Sequence, residues 1–490
     1  MTIKNNEIEL NDEQTKALNY LRSTNDNIFI TGNAGTGKST LLNAFLDSTP
    51  KKIAKLAFTG LAADNIDGVT IDSFFAIPYN CMNEELIINI DEASMKIKLE
   101  VHAILIDEIS LVNCFHFQMI DKSLRKYLDS TKPFGGMQMI VVGDFCQLTL
   151  EATKNFIERK ILKEHGGVYA FNSTAWQKAN FQNISLETIH RQEDSELKHI
   201  LNILRDNVNK LTYKDLALLN SNVREFAFDP TAICLCSSNK NVSAINNTYN
   251  KIFQNDTASK SYTATSKNYK GKKPNDRVLT FWENQRIMLN KNLYIDGELK
   301  FVNGCLGRVL YIFKDEIVVQ FDNVSKVTII HRDKWENTQL LLQDGHLMKT
   351  ITGTFTQFPL KTAYAITIHK AQGQTLKRVH IINDEFFAPY QFYTALSRVR
   401  SLEDVSFQFP VTREQLQTSL EVIKFYNNLQ TIDLQNLDIS TLTPIKPVKL
   451  GYNPFLDEPK EPEPKKVIHD PLFDELEDVS FDNMFNISFN

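Results

Sequence analysis

The chain has 490 residues, 42% hydrophobic and 23% charged, which predicts roughly three domains and a sizeable packed core. No run of about 18 apolar residues occurs, and the start, MTIKNNEIELNDEQ, has neither an apolar signal region nor an Arg-rich leader, so no membrane contact and a cytoplasmic location in a bacterium or virus are expected. The net charge is −5, but residues 451–490 carry −7 and leave +2 on the rest; a near-neutral body can line one groove with cations, so a polyanionic partner is not excluded.

Short runs rich in Ile and Val at 28–31, 53–58, 104–106 and 139–142 alternate with helical or loop segments. This pattern predicts a parallel sheet with crossover helices. A second α/β set covers 184–250 and 360–425. Between its halves, residues 275–335 alternate apolar and polar around Gly304 and Gly307, the pattern of a small antiparallel β module. From about 443, prolines and charges dominate, and a disordered tail is expected. The resulting division is 1–183, 184–260 with 350–440, an insertion at 261–349 and a tail at 441–490. Cys81, Cys114, Cys146, Cys234, Cys236 and Cys305 form no CxxC pair and no zinc spacing, so reduced thiols are expected.

The strongest local signal is IFITGNAGTGKSTLL. An apolar strand runs into Gly32, Asn33, Ala34, Gly35, Thr36, Gly37, Lys38, Ser39 and Thr40, and a helical run follows. Glycines let backbone N–H groups turn inward around phosphate oxygens, and the helix start favours the same anion. Lys38 would reach the terminal phosphates of ATP and the Ser39 hydroxyl would ligate Mg²⁺. AILIDEIS adds a buried strand ending in Asp107, suited to the Mg²⁺ shell, and Glu108, suited to orienting and deprotonating water. MIVVGDFCQL repeats the design, with Gln147 three residues beyond Asp144, placed to sense the γ-phosphate.

TIHKAQGQT, at 367–375, sits between two strand-like runs and is unusually polar for such a join. With LNDEQTKAL, KLAFTGLAADNIDGVTIDSFF, KPFGGMQMIVVGDFCQL, LETIHRQED and YTALSRVRS, it completes an ordered series. The series resembles that of superfamily-one helicases, and within them the PIF-type (petite integration frequency) DNA helicases, over roughly residues 8–410. PFGG before GDFCQL is the most family-specific stretch. Two departures stand out: Thr149-Leu150 where the family usually has two prolines, and Asp72 where it often has His.

The resemblance implies two RecA-like P-loop domains with ATP and Mg²⁺ between them, an SH3-like β insertion in the second, and 5′-to-3′ travel on single-stranded DNA. It implies adenine contact by Gln14. It implies that Arg191 and Arg398 reach across the cleft from the second domain to stabilise phosphoryl transfer, alongside Lys38, Asp107, Glu108 and Gln147. DNA contacts are implied for Thr59, Gly60, Ser73, Phe74, Asn239, Lys240, His369, Lys370 and Gln372, with Gly373 beside the nucleotide. Phe74 reads equally as a stacking residue or as core; Phe75 reads as core. Residues 75–97 are expected to form a small wedge-like insertion. Expected partners are single-stranded DNA and forked or 5′-tailed duplexes, in replication, repair or recombination. The acidic tail could recruit a replication or repair protein, fold back on the DNA groove, or only solubilise. A monomer is expected. The competing functional readings are a DNA-stimulated translocase that remodels protein–DNA complexes without strand separation, and a non-catalytic scaffold, which the complete set of phosphate-site residues argues against.

Overall fold

The computed structural model describes residues 10–75, 77, 95, 98–149, 160, 162–224, 231–254, 259–270, 273–295, 298–322, 324–343, 346–384, 386 and 388–445. The expected tail from 446 onward, Cys81 and all but Phe75, Ile77 and Met95 of the expected wedge lie outside them.

Six strands, β1 (Ile28–Gly32), β2 (Ile53–Ala57), β3 (Val69–Thr70), β4 (Ala103–Asp107), β5 (Gln138–Val142) and β6 (Gln182–Leu186), form one sheet. Their order is β3-β2-β4-β5-β1-β6, and every neighbouring pair is parallel. Both faces are covered. Phe29, Ile104, Ile106 and Val141 enter the larger core, while Ile28, Ile30, Leu105, Ile140 and Val142 pack on the other side with Leu41, Leu42 and Phe45 of the helix Lys38–Ser48. Burial on two faces is why these strands read as continuous apolar runs. The carboxyl ends of β1, β4 and β5 lie side by side and present the loops that begin at Gly32, Asp107 and Gly143.

A second parallel sheet holds Ala365–Thr367, Ile233–Cys236, Val379–Ile382 and Val405–Phe407, in that spatial order. Between Ile233–Cys236 and Ala365–Thr367 the chain makes antiparallel strands from Ser259 to Thr362. Five of them form a sheet in the order Thr328–His331, Glu316–Phe321, Leu306–Ile312, Arg286–Leu289, Leu360–Thr362. Alternate residues of those strands, among them Ile287, Leu289, Val309, Ile317, Val319 and Phe321, fill a separate core. The antiparallel region is therefore wider than the sequence limits of 275–335 or 261–349, because Leu360–Thr362 pairs with Arg286–Leu289 as an edge strand of this sheet.

Two boundaries differ from the sequence reading. β6, expected to open the second lobe at residue 184, pairs with β1 across five residues and belongs to the first sheet. The C-terminal helix Leu420–Asn427, expected within the second lobe, packs Phe425 against Phe29, Phe145, Phe171 and Trp176 under the first sheet. The chain beyond it runs along β6: Ile432 N–H donates to Asn183 O at 2.8 Å, and Leu434 enters the smaller core. An exposed sheet edge recruits backbone in this way whatever the side chains are.

The PFGG stretch is a tight turn with Phe134 and Gly135 in left-handed conformations (φ 51° and 64°). Buried Asp121 holds it by accepting from Phe134 N–H at 2.6 Å and from Arg125 Nε at 2.8 Å. Asp121→Ala would strand a buried N–H and a half-buried guanidinium, so a loss of about 2–3 kcal/mol is expected in denaturant unfolding. Glu193→Ala, which removes a 3.8 Å pair with Arg400 that is exposed on both sides, should leave the unfolding midpoint unchanged.

Candidate active site

The phosphate-type loop bends twice into left-handed backbone, at Gly35 (φ 88°) and Gly37 (φ 78°). Space matters as much as dihedral. A Cβ on Gly35 would lie 2.5 Å from Arg191 Cβ, and one on Gly37 would strike the Gln14 amide. Gln14 is set there by a capping box with Asn11 at the start of the helix Asp12–Ser23, and its Nε2 donates to Thr36 O and Gly37 O at 3.4 Å each. Lys38 Nζ donates to Gly32 O at 2.7 Å and Asn33 O at 3.0 Å. Burial holds this ammonium below the usual lysine range, with Asp144 and Glu108 opposing the shift.

β4 delivers the carboxyl pair. Asp107 Oδ1 accepts the Glu108 N–H at 2.8 Å, and Glu108 itself is left-handed (φ 49°). Burial first, and then the neighbouring Glu108 charge, raise Asp107 above the usual carboxylate range. Glu108 Oε2 accepts from Gln372 Nε2 at 3.2 Å. After β5, Asp144 is fully buried. Its oxygens accept from Tyr426 OH at 3.2 Å, Tyr393 OH at 3.4 Å and Arg205 at 3.4 Å. Gln147 is buried, and its Oε1 has no hydrogen-bond partner. One residue on, Leu148 N–H donates to Thr394 Oγ1 at 2.9 Å.

Both expected arginines face this centre. Arg191 follows β6 directly, so it stands on the loop leaving the first sheet rather than on the second lobe, a correction to the sequence reading. Its N–H and that of His190 donate to Gly35 O, and its Nη1 donates to Ser397 O at 3.3 Å. Arg398 does come from the second side and is 1% exposed. It donates to Thr394 O (2.8 Å), Ala371 O (3.4 Å) and Ser397 Oγ (2.6 Å). Burial and the Arg191 charge hold Arg398 below the usual guanidinium range, with Glu108 countering; a guanidinium remains cationic at physiological pH all the same. Tyr393 closes the contact, accepting from the Ala34 N–H at 3.1 Å.

The arrangement fits a polyphosphate. Three cations (Lys38, Arg191, Arg398) meet two carboxyl groups (Asp107, Glu108), one of them held toward its neutral form, while Arg205 and Asp144 pair with each other. Added negative charge would relieve the imbalance. Among the described residues, no group of three or more His, Cys, Asp or Glu could hold a metal unaided. Exposed Ser39 and part-buried Asp107 instead suit Mg²⁺, which takes one or two protein ligands and completes its shell with phosphate oxygens and water.

The expected DNA residues divide. Thr59 caps the short helix Gly60–Asn65 through Ala62 N–H (3.2 Å), Gly60 has open space on its Cβ side, and Ser73 is exposed. Phe74 is 7% exposed and packs its ring 5.0 Å from Phe75. Asn239 and Lys240 are exposed at the start of the helix Asn239–Gln254, and Asn239 shares a cavity of about 590 Å³ with Lys370. Burial lowers the His369 imidazole below its usual range, and a hydrogen bond with the Thr149 backbone opposes the shift. Gln372 and Gly373 depart from their expected places. Gln372 turns inward onto Glu108 and Ser110, whereas Gly373 is exposed and lines a cavity of about 500 Å³ with Gly304, Cys305 and Arg378. Asp72, the family departure, has its carboxyl pushed up by burial, and its Oδ1 lacks a partner.

Residues that sequence reasoning left without a role are Asp144, Arg205, Tyr393, Thr394 and Tyr426. Tyr393 and Thr394 lie inside YTALSRVRS and Asp144 inside GDFCQL, so spacing offered a signal for three. Arg205 and Tyr426 sit in helices with no motif around them.

The PIF1-like helicase family profile matches residues 9–211. A Bdellovibrio bacteriovorus protein named ATP-dependent DNA helicase Pif1 is 30% identical over 81% of this chain and 87% of its own length. The chain belongs to the PIF1-like helicase family. ATP-dependent DNA helicase PIF1 of Danio rerio is 32% identical over 86% of this chain, which spans 64% of that relative. The crystal structure of the Bacteroides Pif1 helicase in complex with ADP-AlF3 and ssDNA superposes with a TM-score of 0.71, at 32% identity, over 86% of this chain and 97% of that one.

In a PIF1-like protein the inward Gln372 separates two roles. If it orients Glu108, Gln372→Ala should lower ATP turnover by roughly 10-fold, a fraction of a general-base contribution. Single-strand affinity in fluorescence anisotropy should stay unchanged. The DNA-contact reading expects the reverse.

Proposed function

We propose that the protein is an ATP-dependent DNA helicase that moves 5′-to-3′ along single-stranded DNA and separates duplex DNA in replication, repair or recombination. The observation that carries this reading is the buried excess of cations around the glycine loop, with Arg398 and Tyr393 arriving from the second sheet and Lys38, Asp107 and Glu108 from the first. Such a site is complete only when the two sides meet. Hydrolysis then depends on their approach, and their approach moves whatever each side grips.

Mg²⁺, held by Ser39 and Asp107, would supply charge neutralisation between the terminal phosphates. Lys38 leaves the Gly32 and Asn33 carbonyls for the phosphate oxygens. Glu108, steadied by Gln372, takes a proton from water. Arg191 and Arg398 stabilise charge on the transferring group, an effect worth about 10³–10⁵ in rate for arginine fingers. Gln147, whose carbonyl is unpaired, supplies an amide at the same place. Thr59, Gly60, Ser73, Asn239, Lys240, His369 and Lys370 are proposed as strand contacts from the two sides, reading backbone rather than base sequence. The antiparallel region Ser259–Thr362 is proposed as an SH3-like insertion that closes over the strand. The division into two RecA-like lobes is proposed with the first lobe extended to β6 and rejoined by the C-terminal helix.

Duplexes with a 5′ or a 3′ single-stranded overhang test the reading. ATP-dependent unwinding of the 5′-tailed substrate alone is expected. ATPase stimulated by single strands with neither substrate unwound would favour a translocase. Lys38→Ala should abolish hydrolysis and keep most single-strand binding. Arg398→Ala should lower kcat by about 10³ or more, with ATP affinity changed little, in paired turnover and nucleotide-binding measurements.

A further inference from the structure

Arg205 and Tyr426 belong to no sequence motif, yet they meet beside the phosphate loop. Arg205 comes from the helix Ser195–Asp206 and reaches Asp144 with Nε and Nη2, each at 3.4 Å. Its guanidinium lies 4.8 Å from the centroid of the Tyr426 ring. The Tyr426 hydroxyl donates to Asp144 Oδ1 (3.2 Å), accepts from Phe145 N–H (3.0 Å) and lies 2.9 Å from Thr31 Oγ1. Thr31 is the residue before Gly32, where the phosphate loop begins.

Asp144 therefore ties three other parts of the chain to its own turn, through Arg205, Tyr426 and Tyr393. It also accepts from Cys146 N–H (3.1 Å) and, through Tyr393, touches the group that holds Ala34. A fully buried carboxylate is stable only while its donors stay in place. Its own turn carries Gln147 three residues on, with Gln147 N–H bonded to Asp144 O at 2.9 Å. The Asp144 and Arg205 charges act on Lys38 in opposite directions. Tyr426 is fixed in turn by its neighbour: Phe425 stacks on Phe171 at 4.2 Å.

We propose that Arg205 and Tyr426 are positioning residues for ATP hydrolysis, acting through Asp144 on the Gly143–Leu148 turn and through Thr31 on the start of the phosphate loop. They do not touch nucleotide. They make the seating of the C-terminal helix a condition for turnover, because that helix contributes the Tyr426 hydroxyl where β1 and β5 end. The inference rests on the ATPase reading above.

Steady-state ATPase with single-stranded DNA tests it in Tyr426→Phe, Arg205→Lys, Arg205→Ala, Asp144→Asn and the Arg205→Ala/Asp144→Asn pair. Tyr426→Phe keeps the ring and Arg205→Lys keeps the charge, so both should fold. Turnover should fall about 3- to 10-fold in Tyr426→Phe and about 10- to 100-fold in Arg205→Ala, with KM for ATP within about 2-fold. Arg205→Lys should recover part of the loss. The double variant should be no slower than Asp144→Asn alone, because one residue acts through the other. A raised KM with unchanged kcat, losses that multiply in the double variant, or losses that disappear after correction for folded fraction would each overturn the proposal. Wild type and Lys38→Ala run in the same assay: absent wild-type turnover would defeat the ATPase reading, whereas failure of the positioning role appears only in the Arg205 and Tyr426 variants.

Discussion

Charge buried between two sheets is the constraint that organises this molecule. Ion pairs taken out of water are stable only with close geometry and satisfied hydrogen bonds. Here the geometry is supplied from both sides. Gln372 donates to Glu108, the Leu148 and Ala34 N–H groups donate to Thr394 and Tyr393, and Arg191 donates to Ser397. Each bond spans the junction and ends on a residue beside the phosphate loop or its carboxyls. Chemistry at the loop therefore cannot change charge without altering the bonds that hold the sheets together.

That arrangement also explains why the cations cluster where an unliganded site would favour fewer. Positive charge in excess of the carboxyls weakens the empty site and strengthens it once phosphate arrives. Lys38 occupies carbonyls of its own loop, and Asp107 is driven toward its neutral form.

Much of this was legible in the residues. Strands buried on both faces give unbroken Ile and Val runs, so β1, β2, β4 and β5 announce themselves, and the loop from Gly32 to Lys38 needs its glycines at fixed intervals. The pair Gln372 and Gly373 shows where legibility stops. Both are polar-turn residues in sequence, and only the one-turn helix Ile368–Ala371, followed by left-handed Gly373, decides which of them faces Glu108. Phe74 is ambiguous in sequence for the same reason: spacing gives no inside or outside to a five-residue helix. The chain from Thr431 to Leu434 carries little pattern because it joins β6 by backbone pairing. Arg205 reads as one more charge on an amphipathic helix, and its inward turn depends on Asp144, which lies 61 residues away in sequence.

The path of the chain past Val405–Phe407 has a mechanical outcome. The polypeptide leaves the first sheet after β6 and comes back to it at Leu420–Asn427, so two covalent tethers join the halves rather than one. A single tether lets a lobe swivel in any direction. With two, the motion that stretches neither is rotation about the line between them, like a door hung at top and bottom. Such a swing would part Tyr393 from Ala34 and Gln372 from Glu108 along one arc, giving the machine a defined stroke without a dedicated bearing.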